Sequence, residues 1–452
     1  MLKRYTLPPM RELWLREEAK YEHWHQVELA VLAARESVGD AARGTHAQIC
    51  ENARINVARI EELDAIYEHD LLAFIGTVQE SLRQAGVPEA TIAEYHKRLT
   101  SYDVEDPALI LQLGKAAGLI HAALSDLEQA LRERAQEHQW TLMIATTHGQ
   151  DAEPTTFGHL LLVFAEAVRR SAKRLEQVIG QEIAAGKISG AVGNYADLSP
   201  EIETQALELL GLRPANAETQ ILQRDRHATL LNTLAVAGAT IEQMARTFWE
   251  MCRSRCRELQ EPRKPKQRGS SAMPWKINPI KLEQFQGLAR LLRGLAHTAV
   301  ENIATPDFRD ISQSSVERHI LPDATGLTHY LAVKMAAVVR GLVVFPDRMA
   351  RNLAATCGVW AGNRVRTALL EHGIPYDAAY EYVQRVSFEA VQSETSVLDL
   401  FAQRPFSDAD PRTARDLLGS RLDTFFDAAA YVARGVHHLF RHTIPISRKE
   451  TT

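Results

Sequence analysis

Two short stretches carry side chains that could move protons. TTHGQ (Thr146–Gln150) sets His148 among hydroxyls and an amide. GSSAMPWKINP (Gly269–Pro279) places Ser270 and Ser271 near Lys276, just after Arg263, Lys264, Lys266 and Arg268. Imidazole is the commonest side chain for proton transfer near neutral pH, although a lone histidine serves as readily as a partner for a neighbouring Thr or Gln. A serine hydroxyl is a poor base unless its deprotonated form is stabilised, and a cationic loop offers that stabilisation. Asn278 followed by Pro279 reads as an N-cap and first helical residue, so the loop leads into a helix N-terminus whose N–H groups and dipole favour an anion. The bland alternative for the basic run is a solvated hinge.

The elements that must position these stretches are helices. Periodicity near 3.6 dominates and strand-like alternation is nearly absent, which predicts an all-α protein. The run Asp106–His138 has Asp106 as a natural N-cap and Pro107 at the first helical position, and continues for over 30 residues. Four runs of similar length begin near Gly158, His227, Asn278 and Leu321. Five such helices should bundle and hide their apolar stripes against one another. Shorter helices flank them, predicting three helical domains: 1–105, a central long-helix bundle at 106–345, and 346–452. Segments such as LLNTLAVAGATI are apolar on more than one face, and this predicts an oligomer.

Composition narrows the classes further. The 452 residues are 45% hydrophobic and 24% charged, with net charge −5, which argues against a broad nucleic-acid-binding face. Cys252 and Cys256 are one helical turn apart, but no second pair or nearby His completes a metal site. The N-terminal residues lack the apolar core of a signal peptide, and uninterrupted apolar runs such as LLLVF are too short to span a bilayer. The expectation is a cytoplasmic protein with no membrane association.

Eight segments, taken in order, resemble the fumarase/aspartase superfamily and, within it, the adenylosuccinate lyase family most closely. They are RYTLPPM, EHD (Glu68–Asp70), YHKRLTSYD (Tyr95–Asp103), TTHGQDAEPTTFG, KISGAVGNYADL, TQILQRDRH, GSSAMPWKINP and RDISQSSVERHILPDAT. The resemblance covers nearly the whole chain. It implies an all-α homotetramer with a 20-helix core, in which three subunits furnish each active site. It also implies fumarate-releasing β-elimination from succinylated purine nucleotides, without metal or organic cofactor.

Carried over position by position, the resemblance makes Ser271 the catalytic base and His148 the acid that protonates the departing nitrogen. Lys276 and Asn278 would hold the carboxylate on which charge gathers. Arg4, Tyr5, Ser314 and Arg318 fall where the family holds a phosphate; otherwise Arg318 would form an ordinary salt bridge with Glu317 or Asp310. His69, Asp70, Thr100, Ser101, Gln220 and Arg309 match substrate-contacting positions. His96 matches a histidine near the site, and Glu283 an acidic residue that orients the loop. The chain departs from the family pattern at Lys97, Arg98, Tyr102, Trp275, Ile277, Phe308 and Gln313. These departures suggest a kept reaction with an altered leaving group, or neutral drift. Rival readings are a cycloisomerase, a lyase for a small substituted succinate, and an inactive scaffold relative.

Overall fold

The computed structural model describes residues 1–443; the last residues of the expected third domain, 444–452, lie outside the described residues. The fold is all-α, with five long helices as the periodicity predicts. In chain order the helices that matter are α1 (Glu17–Ser37), α2 (Asp70–Gln84), α3 (Ser101–Glu137), α4 (Phe157–Gln181), α5 (Asp225–Cys252), α6 (Ile280–Glu301), α7 (Ser312–Gly341) and α8 (Tyr376–Ser393). α3 alone is ~55 Å long at 1.5 Å per residue.

The chain divides into two compact units. The first comprises Met1–Asp126, Val168–Glu242 and Phe285–Lys334; the second comprises Leu127–Ala167, Gln243–Gln284 and Met335 onward. In the first unit, Tyr21 and Trp24 of α1 pack on Phe74 of α2, with ring centroids 5.9 and 5.6 Å away. Such pairs add about 0.5–1.5 kcal/mol each beyond area burial, and here they seat the start of α2 against α1. In the second unit, Phe157 and Phe164 of α4 meet Phe248 of α5 at 6.5 and 5.7 Å.

α3 begins five residues before the Asp106 start expected from sequence. Thr100 and Asp103 form a reciprocal cap: the Thr100 N–H donates to Asp103 Oδ2 at 2.9 Å, and the Asp103 N–H to the Thr100 carbonyl at 3.0 Å. A Thr with an acid three residues on satisfies two orphan N–H groups, and the helix then runs through Pro107 at the loss of one backbone bond. Asp106 is left free for a different task. By length and composition α3 is also apolar enough to cross a membrane, more than the short uninterrupted runs suggested, but half of its most apolar window is buried inside the protein.

The second departure is a β-hairpin where a plain loop was expected. β1 (Leu142–Thr147) pairs antiparallel with β2 (Gln150–Thr156). Its apolar residues run consecutively rather than alternating, so period 2 was hidden. His148 and Gly149 form the two-residue turn with φ of 55° and 75°. Positive φ at both positions is what a type I′ hairpin turn needs, and glycine takes the second at no steric cost.

Candidate functional site

Most of the expected substrate-binding residues fall in the first unit, and their scaffold is a set of buried charges. Asp103 Oδ1 accepts from Lys187 Nζ at 2.7 Å and from the N–H groups of Ser189 and Gly190 at 3.0 and 3.1 Å. This ties KISGAVGNYADL to the start of α3. Arg224, 1% exposed, makes two bonds of 3.0 Å to Asp106 and bonds of 2.9 and 3.2 Å to Glu317 of α7. Asp106 Oδ2 also takes the Leu222 N–H at 2.7 Å. A buried ion triad fully hydrogen-bonded in this way adds little net stability but fixes geometry, because losing one partner strands the others. It holds the segment bearing Gln220 against α3 and α7.

On this frame several expected residues meet. Arg309 Nη1 donates to Gln220 Oε1 at 2.9 Å, and Gln220 Nε2 reaches Thr100 Oγ at 3.5 Å. Ser101 is the first residue of α3, next to Thr100. Arg318 pairs with Asp70 at 2.8 Å, not with Glu317 or Asp310, and Lys20 adds a second cation to Asp70 at 3.1 Å. Burial works to raise the Asp70 pKa, but Lys20 and Arg318 together hold it below the usual value. Glu105, which the sequence reading did not single out, has its carboxyl pushed up to about 7 by burial and by nearby Asp70. Tyr102 is 3% exposed, and burial raises its hydroxyl to about 12.

The other first-unit residues have separate partners. His69 caps α2, accepting the Leu72 N–H on Nδ1 at 3.5 Å. His96 Nδ1 lies 2.6 Å from Glu28 Oε1; burial works against its charge, but Glu28 prevails and the pKa is raised. Tyr5 packs edge-on against Tyr330 of α7 at 5.5 Å, and Arg4 lies over Tyr5 at 5.9 Å.

The second unit carries His148, Ser271, Lys276, Asn278 and Glu283. The hairpin is anchored at its base, where Ile144 joins Leu353, Trp360 and Ala361 in an apolar cluster. Register slips between Ile144 and Thr146, a bulge of the kind that re-aims side chains. The tip residues, His148 included, are exposed.

The serine loop closes on itself. Asn278 Nδ2 donates to the Gly269 carbonyl at 2.9 Å, and Ser270 Oγ accepts the Met273 N–H at 3.1 Å. A Cβ at position 269 would sit 2.1 Å from the Lys276 carbonyl oxygen, so only glycine allows that approach. α6 begins at Ile280, just past the predicted Asn278–Pro279 start. Its N–H groups are not open to an outside anion: Lys281 and Leu282 both donate to buried Glu261 Oε2, at 2.8 and 3.0 Å. The anion expected at this dipole is therefore a residue of the chain itself. Ser271 and Lys276 are exposed, and Glu283 accepts from Trp249 Nε1 at 3.2 Å.

Left-handed backbone at residues other than glycine marks the same segments. Glu68, His96, Arg98, His148, Tyr195 and Asp307 all have positive φ, and each lies in or beside one of the motifs. Such conformations persist only where surrounding structure enforces them, and they gather at functional sites. The departures from the family pattern separate here too. Trp275, Ile277 and Phe308 are exposed, Lys97 and Arg98 pair with Glu94 and Asp40 at 2.7 Å, and Gln313 and Tyr102 are buried. Asp103, Asp106, Lys187, Arg224 and Glu317 were missed as positioning residues; all five lie inside or beside the quoted motifs, which was the visible signal.

A lyase family model matches residues 5–294. An adenylosuccinate lyase from Thermotoga maritima is 39% identical over 440 residues, 97% of this chain and 99% of its own. Adenylosuccinate lyases from Synechocystis and Bacillus subtilis are each 39% identical, over 94% and 88% of this chain and 96% and 91% of theirs. Among solved structures, a fumarate lyase from Mesorhizobium superposes with a TM-score of 0.86 at 23% identity, covering 98% of this chain and 99% of that one. A 3-carboxy-cis,cis-muconate lactonizing enzyme from Pseudomonas putida follows at 0.83 and 26%, covering 97% and 98%. Identity at this level over almost the full length decides the matter: this chain belongs to the adenylosuccinate lyase family of the fumarase/aspartase superfamily.

Proposed function

We propose that this lyase cleaves a succinylated purine nucleotide of the adenylosuccinate or SAICAR type, releasing fumarate. The observation that carries the reading is the 39% identity to an adenylosuccinate lyase across 97% of the chain. In the proposed step the Ser271 alkoxide takes a proton from the carbon beside a carboxylate. The electron pair left there becomes the double bond of fumarate, and the C–N bonding pair leaves with nitrogen. His148, protonated, gives that nitrogen its proton; the two groups then exchange protons with solvent to reset.

Lys276 and Asn278 stabilise the carboxylate on which charge develops, the largest kind of contribution in such reactions. In this reading Asn278 leaves Gly269 when substrate binds and the loop closes. Arg4, Tyr5, Ser314 and Arg318 receive the phosphate; His69, Asp70, Thr100, Ser101, Gln220 and Arg309 hold the rest, with His96 close by. Glu283 orients the loop. We further propose a cytoplasmic homotetramer of three-domain subunits, whose sites combine segments from different chains. Exposed Val163, Val236, Leu291 and Val300 on the long helices support the assembly, since an apolar residue on a bundle helix gains by being covered.

The test is fumarate release from adenylosuccinate and from SAICAR by the purified protein. Turnover of either supports the reading, and turnover of neither overturns it. Composite sites predict that mixing Ser271→Ala with His148→Ala protein restores part of the activity. Proven subunit exchange without recovery would count against sharing.

A further inference from the structure

Tyr102 is the one departure from the family pattern that joins the polar cluster of the first unit. Its ring lies beneath the Arg309 guanidinium, with Cζ 4.2 Å from the ring centroid. A guanidinium laid on an aromatic face keeps its plane parallel to the ring, and the attraction strengthens when water is excluded. The second fixed point is Gln220, which takes Arg309 Nη1 at 2.9 Å. Together these leave the Nε–Nη2 edge, and Arg309 Nε is buried without a hydrogen-bond partner. A buried cationic donor left unpaired is costly, and this edge of a guanidinium matches the two oxygens of a carboxylate or phosphate.

We propose that Tyr102 is a positioning residue: its ring face orients Arg309 so that the Nε edge of Arg309 receives one oxyanion of the substrate. The proposal deepens the function given above by assigning this chain's own tyrosine a part in substrate recognition, and it rests on that reading only for the identity of the substrate. An oxyanion of this kind could be a carboxylate of the succinyl group or the nucleotide phosphate; the two sources are separable.

The experiment measures calorimetric binding of fumarate and, separately, of inorganic phosphate to the assembled protein, with wild type, Arg309→Gln, Tyr102→Leu and Tyr102→Phe compared. Leucine keeps apolar bulk without a π face, and phenylalanine keeps the face without the hydroxyl. The expected result is that one anion weakens about tenfold in both Arg309→Gln and Tyr102→Leu, and stays within about twofold of wild type in Tyr102→Phe, which keeps the ring face. Which anion weakens identifies the source. With a turned-over substrate, Tyr102→Leu should raise KM far more than it lowers kcat, a split that a general loss of folded protein does not produce. The proposal is overturned if Tyr102→Leu binds both anions within twofold of wild type, if its loss falls on a different anion from that of Arg309→Gln, or if wild type binds neither. Should the anion pattern hold while adenylosuccinate and SAICAR both fail as substrates, the substrate reading falls and the role of Tyr102 stands.

Discussion

The polar cluster of the first unit and the proposed catalytic pair of the second, Ser271 and His148, are built in opposite ways. Around Arg224 and Asp103 charges are buried and partnered before any ligand arrives, and Asp70 is already paired with Lys20 and Arg318. Ser271 and His148 sit exposed, one on a self-closed loop and the other at a hairpin tip. The difference teaches a division of labour. Recognition of a polyanion gains from prearranged donors, whereas a base and an acid must meet a carbon and a nitrogen only after substrate is in place. In this reading the first region, proposed for binding, is also sensitive to substitution because losing one partner strands the others, whereas the exposed Ser271 and His148 can change with little effect on folding.

The comparison is broken most severely at Arg224. Arg224→Met strands two buried carboxylates, and we expect a loss of about 3–5 kcal/mol in chemical denaturation. A loss below about 1 kcal/mol would mean the cluster is not a structural frame. A smaller effect is expected where the serine loop is tied down. Glu261→Gln removes the charge that caps α6, at about 1–2 kcal/mol, with a fall in kcat larger than the rise in KM. Equal effects on KM and kcat would place the loop in binding instead.

The smallest effect belongs to His96. Its folded pKa is raised above 6.5 because Glu28 outweighs burial. A raised histidine stabilises fully below its unfolded pKa, and the contribution is lost as pH rises through the folded value. His96→Gln should thus lower Tm more at pH 6 than at pH 8.5. An equal or opposite difference would refute the Glu28 pair as the cause.

How much of this was legible in the residues varies by kind of signal. The long helices were readable because each repeats its apolar stripe over many turns, and averaging over turns suppresses local exceptions. The start of α3 was misplaced because Asp106–Pro107 imitates a helix start, while the Thr100–Asp103 cap was passed over as a binding motif. The hairpin stayed hidden because Leu142, Met143 and Ile144 do not alternate, and because His148–Gly149 was read for chemistry alone. Residues of the site could be named from their motifs, but their partners could not. That Arg224 reaches Asp106 and Glu317, 118 and 93 residues away, is invisible to local pattern. The closure of α6 by Glu261 likewise reverses a sequence inference, because a helix N-terminus attracts an anion without specifying whose it is.

The central claim is that the first unit recognises while Ser271 performs the chemistry, and one measurement addresses it directly. Purified Ser271→Ala protein is titrated calorimetrically with adenylosuccinate while fumarate is monitored in the same sample. The account predicts binding within about threefold of the wild-type KM, with fumarate release lowered by about 10³-fold or more. Fumarate release at the wild-type rate, or complete loss of binding in a protein that remains folded, would contradict it.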